Sequence, residues 1–210
     1  MITDGLNPLT VLLFLGAVVA GAALIVLYVV ARVTKREPFA RITLRALLGG
    51  MGLYVLLFLV VSLTSRTRVL AVGEEKHICE IDCHLAYSVA ATKSETLPDG
   101  QVRHTVTVRV RFDEETISAR RSRTATLTPN SRYVALVDAQ GNQYQGSTDG
   151  LRRALAPGES YTTAIAFDVP AEAKGLRLVL RNNDPETAFI IGHENSPLHG
   201  KTTFALQRVS

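Results

Sequence analysis

The chain has 210 residues, 47% of them hydrophobic, and a formal net charge of +4 at pH 7. That length holds one ordinary domain and something extra. The charge leaves no footprint for nucleic acid, because Arg32, Lys35, Arg36, Arg41 and Arg45 stand against Glu37 in one short stretch, while from Ser65 onward 18 basic residues face 17 acidic ones.

Taken in chain order, residues 1–8 form a short leading segment with Asp4 and no basic cluster, which argues against a secretory signal. Residues 9–31 carry no charge, and at 1.5 Å per residue about 23 of them match a hydrocarbon core of about 30 Å. Residues 46–64 are a second uncharged run, so the expectation is two transmembrane helices joined by a basic loop, 32–45. The positive-inside rule puts that loop in the cytoplasm and both termini outside, against a weaker opposing signal from Arg66 and Arg68. "GGMG", residues 49–52, offers small residues for helix packing but not the strict G-x-x-x-G spacing.

Residues 65–78 read as a tether and first strand, and residues 79–210 as a β-sandwich. The clearest strand is "VRHTVTVRVRF". Val102, Val106, Val108, Val110 and Phe112 fall on one face, Arg103, Thr105, Thr107, Arg109 and Arg111 on the other, and His104 interrupts the apolar face. Further strands are expected at 69–73, 84–92, 123–128, 132–138, 143–146, 160–169, 176–181, 188–192 and 202–209, with a helical turn at 170–175. Turn signals every 8–12 residues and no crossover helix argue for two packed antiparallel sheets.

The pattern "RYVALVDAQGNQY", then "LAPGESYTTAIAFDVP" and "GLRLVL", resembles the telokin-like immunoglobulin-fold domains found on bacterial lipoproteins and membrane-anchored surface proteins. The resemblance covers about residues 102–180. It rests on turn and core motifs, and implies an immunoglobulin-like antiparallel sandwich in an extracytoplasmic setting.

The chemistry-bearing stretch is "KHICEIDCHLAY", with Cys79 and Cys83, the only two cysteines, flanked by His77 and His84. The leading expectation is a Cys79–Cys83 disulfide. A regular strand would hold the two Cα atoms about 13 Å apart, whereas a bridge needs roughly 4.4–6.8 Å, so residues 80–82 must turn. An oxidising extracytoplasmic location permits it. The alternative is a metal site from His77, Cys79, Cys83 and His84, thiolate and imidazole suiting zinc or copper. A haem attachment (C-x-x-x-C-H is one residue too long, with His193 or His199 as second axial ligand) and a pair of free thiols near Lys76 stay open behind these.

"IGHENSPLHGK" gathers His193, Glu194 and His199 in one loop, either a ligand site or a shaped turn. "RRSR", 120–123, is expected to face "DEE", 113–115, or lipid head groups. There is no G-x-S-x-G elbow, phosphate loop or H-E-x-x-H motif. The expectation is a non-catalytic binding or structural module of the cell envelope without a cofactor. Its expected partners are the lipid bilayer and an envelope or surface protein.

Overall fold

Long runs of Leu, Val and Ala with no interior charge make α1, Pro8–Val33, helical throughout. It ends where Lys35 takes a left-handed φ of 58°. There Arg36 N–H reaches the Ala31 carbonyl (2.8 Å) and Lys35 N–H the Arg32 carbonyl (3.1 Å), a Schellman stop with lysine in the usual glycine place. The chain turns back within three residues into α2, Glu37–Thr64. The basic stretch expected as a loop over 32–45 is therefore mostly helix. Pro38 fits the first turn, where its missing N–H costs nothing, and the following Ala, Arg and Leu residues are good helix formers. Arg32 grips Glu37 across the turn with bonds of 2.7 and 2.9 Å.

The structure, a computed structural model, describes residues 8–78, 84–117, 122, 124–129, 132–182 and 184–206. The chain divides into two compact units. One contains the helices and the segment Glu186–Gly200; the other contains Thr67–Pro185 and the final strand after Lys201. In the helical unit, each helix has one partly covered stripe. On α2 it runs through Ala40, Thr43, Leu47, Tyr54, Phe58 and Val61; on α1 through Phe14, Gly21, Leu24, Tyr28 and Ala31. Steps of three, four and seven residues keep each stripe on one face. A cleft of about 290 Å³ between Phe14, Gly21, Leu24, Leu47, Met51 and Tyr54 marks where the small residues thin the contact. Elsewhere, beyond the charged residues at the turn and along the first turns of α2, the helices expose apolar side chains.

The second unit is a β-sandwich. One sheet is ordered β1 (Arg68–Leu70), β9 (Thr202–Ala205), β8 (Arg177–Asn182), β5 (Arg132–Val137), β6 (Gln143–Gln145). The other is β2 (Lys76–Ile78), β3 (Leu85–Thr96), β4 (Gln101–Phe112), β7 (Ser160–Pro170). The pairings are antiparallel except that β1 runs parallel to β9. The alternation read in "VRHTVTVRVRF" holds: Val106, Val108, Val110 and Phe112 are buried against Leu136, Leu178, Leu180, Phe204 and their neighbours.

Turn chemistry accounts for the family-like motifs. The Asp138 carboxylate accepts bonds from Gln140 N–H, Asn142 N–H, the Asn142 amide and the Tyr144 hydroxyl, which closes the β5–β6 hairpin. At Gly146 a Cβ would lie 2.5 Å from the Phe167 ring, so only glycine lets this chain pass over β7.

Three expected elements are absent. Among the described residues 124–128, only Leu127 pairs, in an isolated bridge to Leu155. "AFIIG", 188–192, is no strand: it starts within a 3-10 turn, Pro185–Phe189, and continues into further turns. Its apolar side chains belong to the helical unit, so there is no second sheet face for them to cover. The stretch expected as a helical turn, 170–175, is instead the end of β7, one turn closed by Ala173 N–H on the Pro170 carbonyl (3.0 Å), and a bend at Gly175 with φ 66°.

Candidate functional site

The sandwich has two polar ends. The chain enters at Arg68, beside Thr202, and this end also carries the β2–β3 pairing. Ile78 pairs with Leu85, the last residue of β2 with the first of β3. Cys79 and Cys83 lie outside the described residues, and with them the expected disulfide and the thiol half of the metal alternative. Arg120, Arg121 and Arg123 of the basic run also lie outside them.

The flanking residues are described. Register puts Lys76 opposite Tyr87 on the inner face of its sheet and His77 opposite Ala86 on the outer face. Lys76 is fully buried, and its Nζ crosses the sandwich to donate to the Leu180 carbonyl (2.9 Å) and the Thr202 carbonyl (3.4 Å). Beside it Arg132, also buried, donates to the Tyr87 hydroxyl at 3.2 Å and lies over the Tyr87 ring. On the outer face His77 Nε2 meets Asp113 Oδ2 at 3.0 Å. Arg111 holds Glu75 with two bonds, 2.7 and 3.0 Å, and reaches Asp113 at 3.3 Å. His84 bonds Thr116 through Nδ1 and stacks on Phe112, ring centroids 5.6 Å apart.

These contacts set the charges. Burial would raise the Asp113 carboxyl, but hydrogen bonds from His77, Arg111 and the Glu115 N–H outweigh it and hold it below its ordinary range. The Arg111 guanidinium does the same for Glu75, and Glu75 in turn raises Arg111. His77 and His84 thus each spend one ring nitrogen on a protein partner. His77 Nδ1 is buried with no hydrogen-bond partner among the described residues.

The far end differs. A bulge between Val89 and Ala91 shifts β3 so that Thr92 pairs with Val106 and Ser94 with His104, on the inner side. Polar residues therefore occupy inward positions where the sandwich opens into a cleft of about 380 Å³. Its wall joins Ser94, His104 and Arg177 to apolar Val69, Leu176 and Leu206. His104 Nδ1 bonds Ser94 Oγ at 2.9 Å, and burial lowers the pKa of its imidazole. Arg177 is exposed and has no ion-pair partner among the described residues. Sequence reasoning missed this cleft; its one signal was His104 interrupting an apolar face.

The loop residues His193, Glu194 and His199 do not assemble a ligand set: among the described residues no three His, Cys, Asp or Glu side chains converge as metal ligands. His193 and Glu194 are buried within the loop's own turns, where His193 Nδ1 accepts from Asn195 N–H at 3.0 Å.

No family model matches the chain, and no curated protein matches it. Three solved structures are similar in fold. One is an uncharacterised β-sandwich protein from Clostridium difficile 630, 10% identical, covering 68% of this chain and 96% of that one, with a TM-score of 0.40. Another is a conserved hypothetical protein from Bacillus anthracis, 16% identical, covering 55% and 92%, with a TM-score of 0.39. The third is the secreted protein MPT63 from Mycobacterium tuberculosis, 18% identical, covering 58% and 94%, with a TM-score of 0.41. Likeness at this level is to the fold alone.

Proposed function

We propose that the chain is a membrane-anchored, non-catalytic binding module of the cell envelope that holds an immunoglobulin-like sandwich outside the cytoplasm. The observation that carries this reading is the bareness of the helices. Away from their facing stripes, large apolar side chains such as Leu13, Val19, Ile25, Leu48, Leu56 and Val60 are exposed. Water penalises such a surface and hydrocarbon does not. The basic residues clustered at the turn between the helices assign that turn to the cytoplasm. The resemblance to telokin-like domains supports the opposite, extracytoplasmic side for the sandwich.

The far-end cleft is the recognition site in this reading. Arg177 supplies an uncommitted charge, His104 and Ser94 supply hydrogen bonds, and Val69, Leu176 and Leu206 supply apolar contact. The matching group is a carboxylate on a short apolar stem, carried by an envelope or surface protein.

Protease added to membrane vesicles of known sidedness tests the placement. The sandwich should be digested from the outer side while the helices stay in carbonate-washed membrane. Protection of the sandwich from that side reverses the topology, and release of the intact chain by carbonate ends the membrane reading.

A second reading rests on His77. If its Nε2–H donates to Asp113, Nδ1 is a buried lone pair oriented by a carboxylate, the arrangement common behind metal-ligating histidines. Metal or redox handling by His77, Cys79, Cys83 and His84 would then replace the Cys79–Cys83 disulfide we otherwise propose. Alkylation without reductant and native mass decide between them. Blocked thiols with no adduct favour the disulfide, and free thiols or a bound metal favour the second reading.

A further inference from the structure

Segment Glu186–Gly200 interrupts the sandwich between β8 and β9 and belongs to the helical unit. Three points fix it along α2. The Tyr54 hydroxyl donates to the Phe189 carbonyl at 2.6 Å. A Cβ on Gly192 would meet Val61 Cγ1 at 3.6 Å. Gly200 N–H donates to Ser65 Oγ at 2.7 Å. From Tyr54 to Ser65 is about 16 Å of helix at 1.5 Å per residue, about half of a 30 Å hydrocarbon core.

The segment is turned inside out compared with a soluble loop. Its polar side chains Thr187, His193, Glu194 and Ser196 are buried, while Phe189 and Leu198 are each 65% exposed. Its backbone is tied in successive turns, Ile190 N–H to Thr187 O, His193 N–H to Ile190 O, Ser196 N–H to His193 O and His199 N–H to Ser196 O. Side chains add bonds from Asn195 to Thr187 (2.8 Å) and from Ser196 to the Ile190 carbonyl (2.8 Å). Non-helical backbone is tolerated at membrane depth where protein rather than lipid covers it, and these bonds, with α2 alongside, provide internal partners for the backbone while leaving side chains to face outward. The Tyr54–Phe189 bond satisfies a hydroxyl and a carbonyl that hydrocarbon would otherwise leave stranded.

We infer that Glu186–Gly200 is a lipid-embedded flap, its Phe189 and Leu198 side chains among the acyl chains of the outer leaflet, continuous with the bare flank of α2. The inference rests on the membrane reading above, and the test separates the two. The chain contains no tryptophan, so a single introduced one reports its own depth. Phe189→Trp, Leu198→Trp, Leu57→Trp in α2 and Lys174→Trp in the sandwich are each made in the full chain and reconstituted in phosphatidylcholine vesicles with brominated acyl chains. Phe189→Trp and Leu198→Trp should emit blue and lose most of their intensity, as Leu57→Trp does, while Lys174→Trp keeps a water-like, unquenched emission. Quenching of Leu57→Trp with none at either loop position overturns the flap and leaves the membrane reading standing. No quenching even at Leu57→Trp ends both.

Discussion

The two ends of the sandwich use similar residue types to opposite effect. At the entry end Lys76, Arg132, His77, Asp113 and Arg111 are buried or half-buried and bonded to one another, to backbone or, for Arg132, to the Tyr87 hydroxyl. At the far end His104 and Ser94 bond each other but open onto a cleft, and Arg177 stands exposed beside them. Charge sealed inside a fold has traded water for fixed partners, so removing one partner strands the other. Charge at an open cleft has kept its water and can exchange it for a ligand. Polar residues at the entry end are therefore committed to the fold, whereas those at the far end, which the proposed recognition site uses, face an open cleft.

The sharpest way to break this comparison is Lys76→Ala. It empties a fully buried site and takes the donor from two carbonyls in the opposite sheet, so thermal melting should show a loss of about 3 kcal/mol. Lys76→Met keeps the volume and should lose less than half of that. If Lys76→Ala melts like the parent, the buried lysine does not join the sheets.

Asp113→Asn comes next, at about 1–3 kcal/mol by urea unfolding, because it weakens the bonds to His77 and Arg111 together. The acid side gives a signed version. Asp113 and Glu75 are both held below their ordinary 3.8 and 4.5, so their stabilisation is complete above those values and is lost as pH falls through the lower folded ones. The urea midpoint should drop in that window for the parent and less steeply for Asp113→Asn.

At the far end the effects shrink. Burial disfavours the charged His104, so stability should slip as pH falls below its ordinary 6.5, and His104→Gln should flatten that slope. Arg177→Ala should be smallest, within about 0.5 kcal/mol of the parent in melting. A loss well above that would mean Arg177 holds the fold and would remove it from the recognition site.

Much of the sandwich was legible because period-two alternation is a local signal. Val102 to Phe112 declared both faces of β4. The helices were legible from apolar length, but not their ends, since basic helix formers after Glu37 look like a loop when charge is weighed over propensity. "AFIIG" misled because a short apolar run does not say whether a sheet or a helix covers it. The candidate sites were harder still. Lys76 is a surface residue by composition, and only the register opposite Tyr87 turns it inward. The cleft depends on the bulge at Val89/Ala91, which redirects Thr92 and Ser94 and has no marker in "SVAATKS".

The parallel pairing of β1 with β9 has a consequence in time. Thr203 bonds the Arg68 carbonyl across 135 positions of sequence, and Tyr54 bonds Phe189 across the same separation. At about 5–20 residues per second of synthesis, β1 and the C-terminal half of α2 wait roughly 7–27 s for their partners to emerge. Both units close on segments far downstream of their first elements, so a chain cut short before Thr202 leaves β1, the first strand of the sandwich, as an unpaired edge.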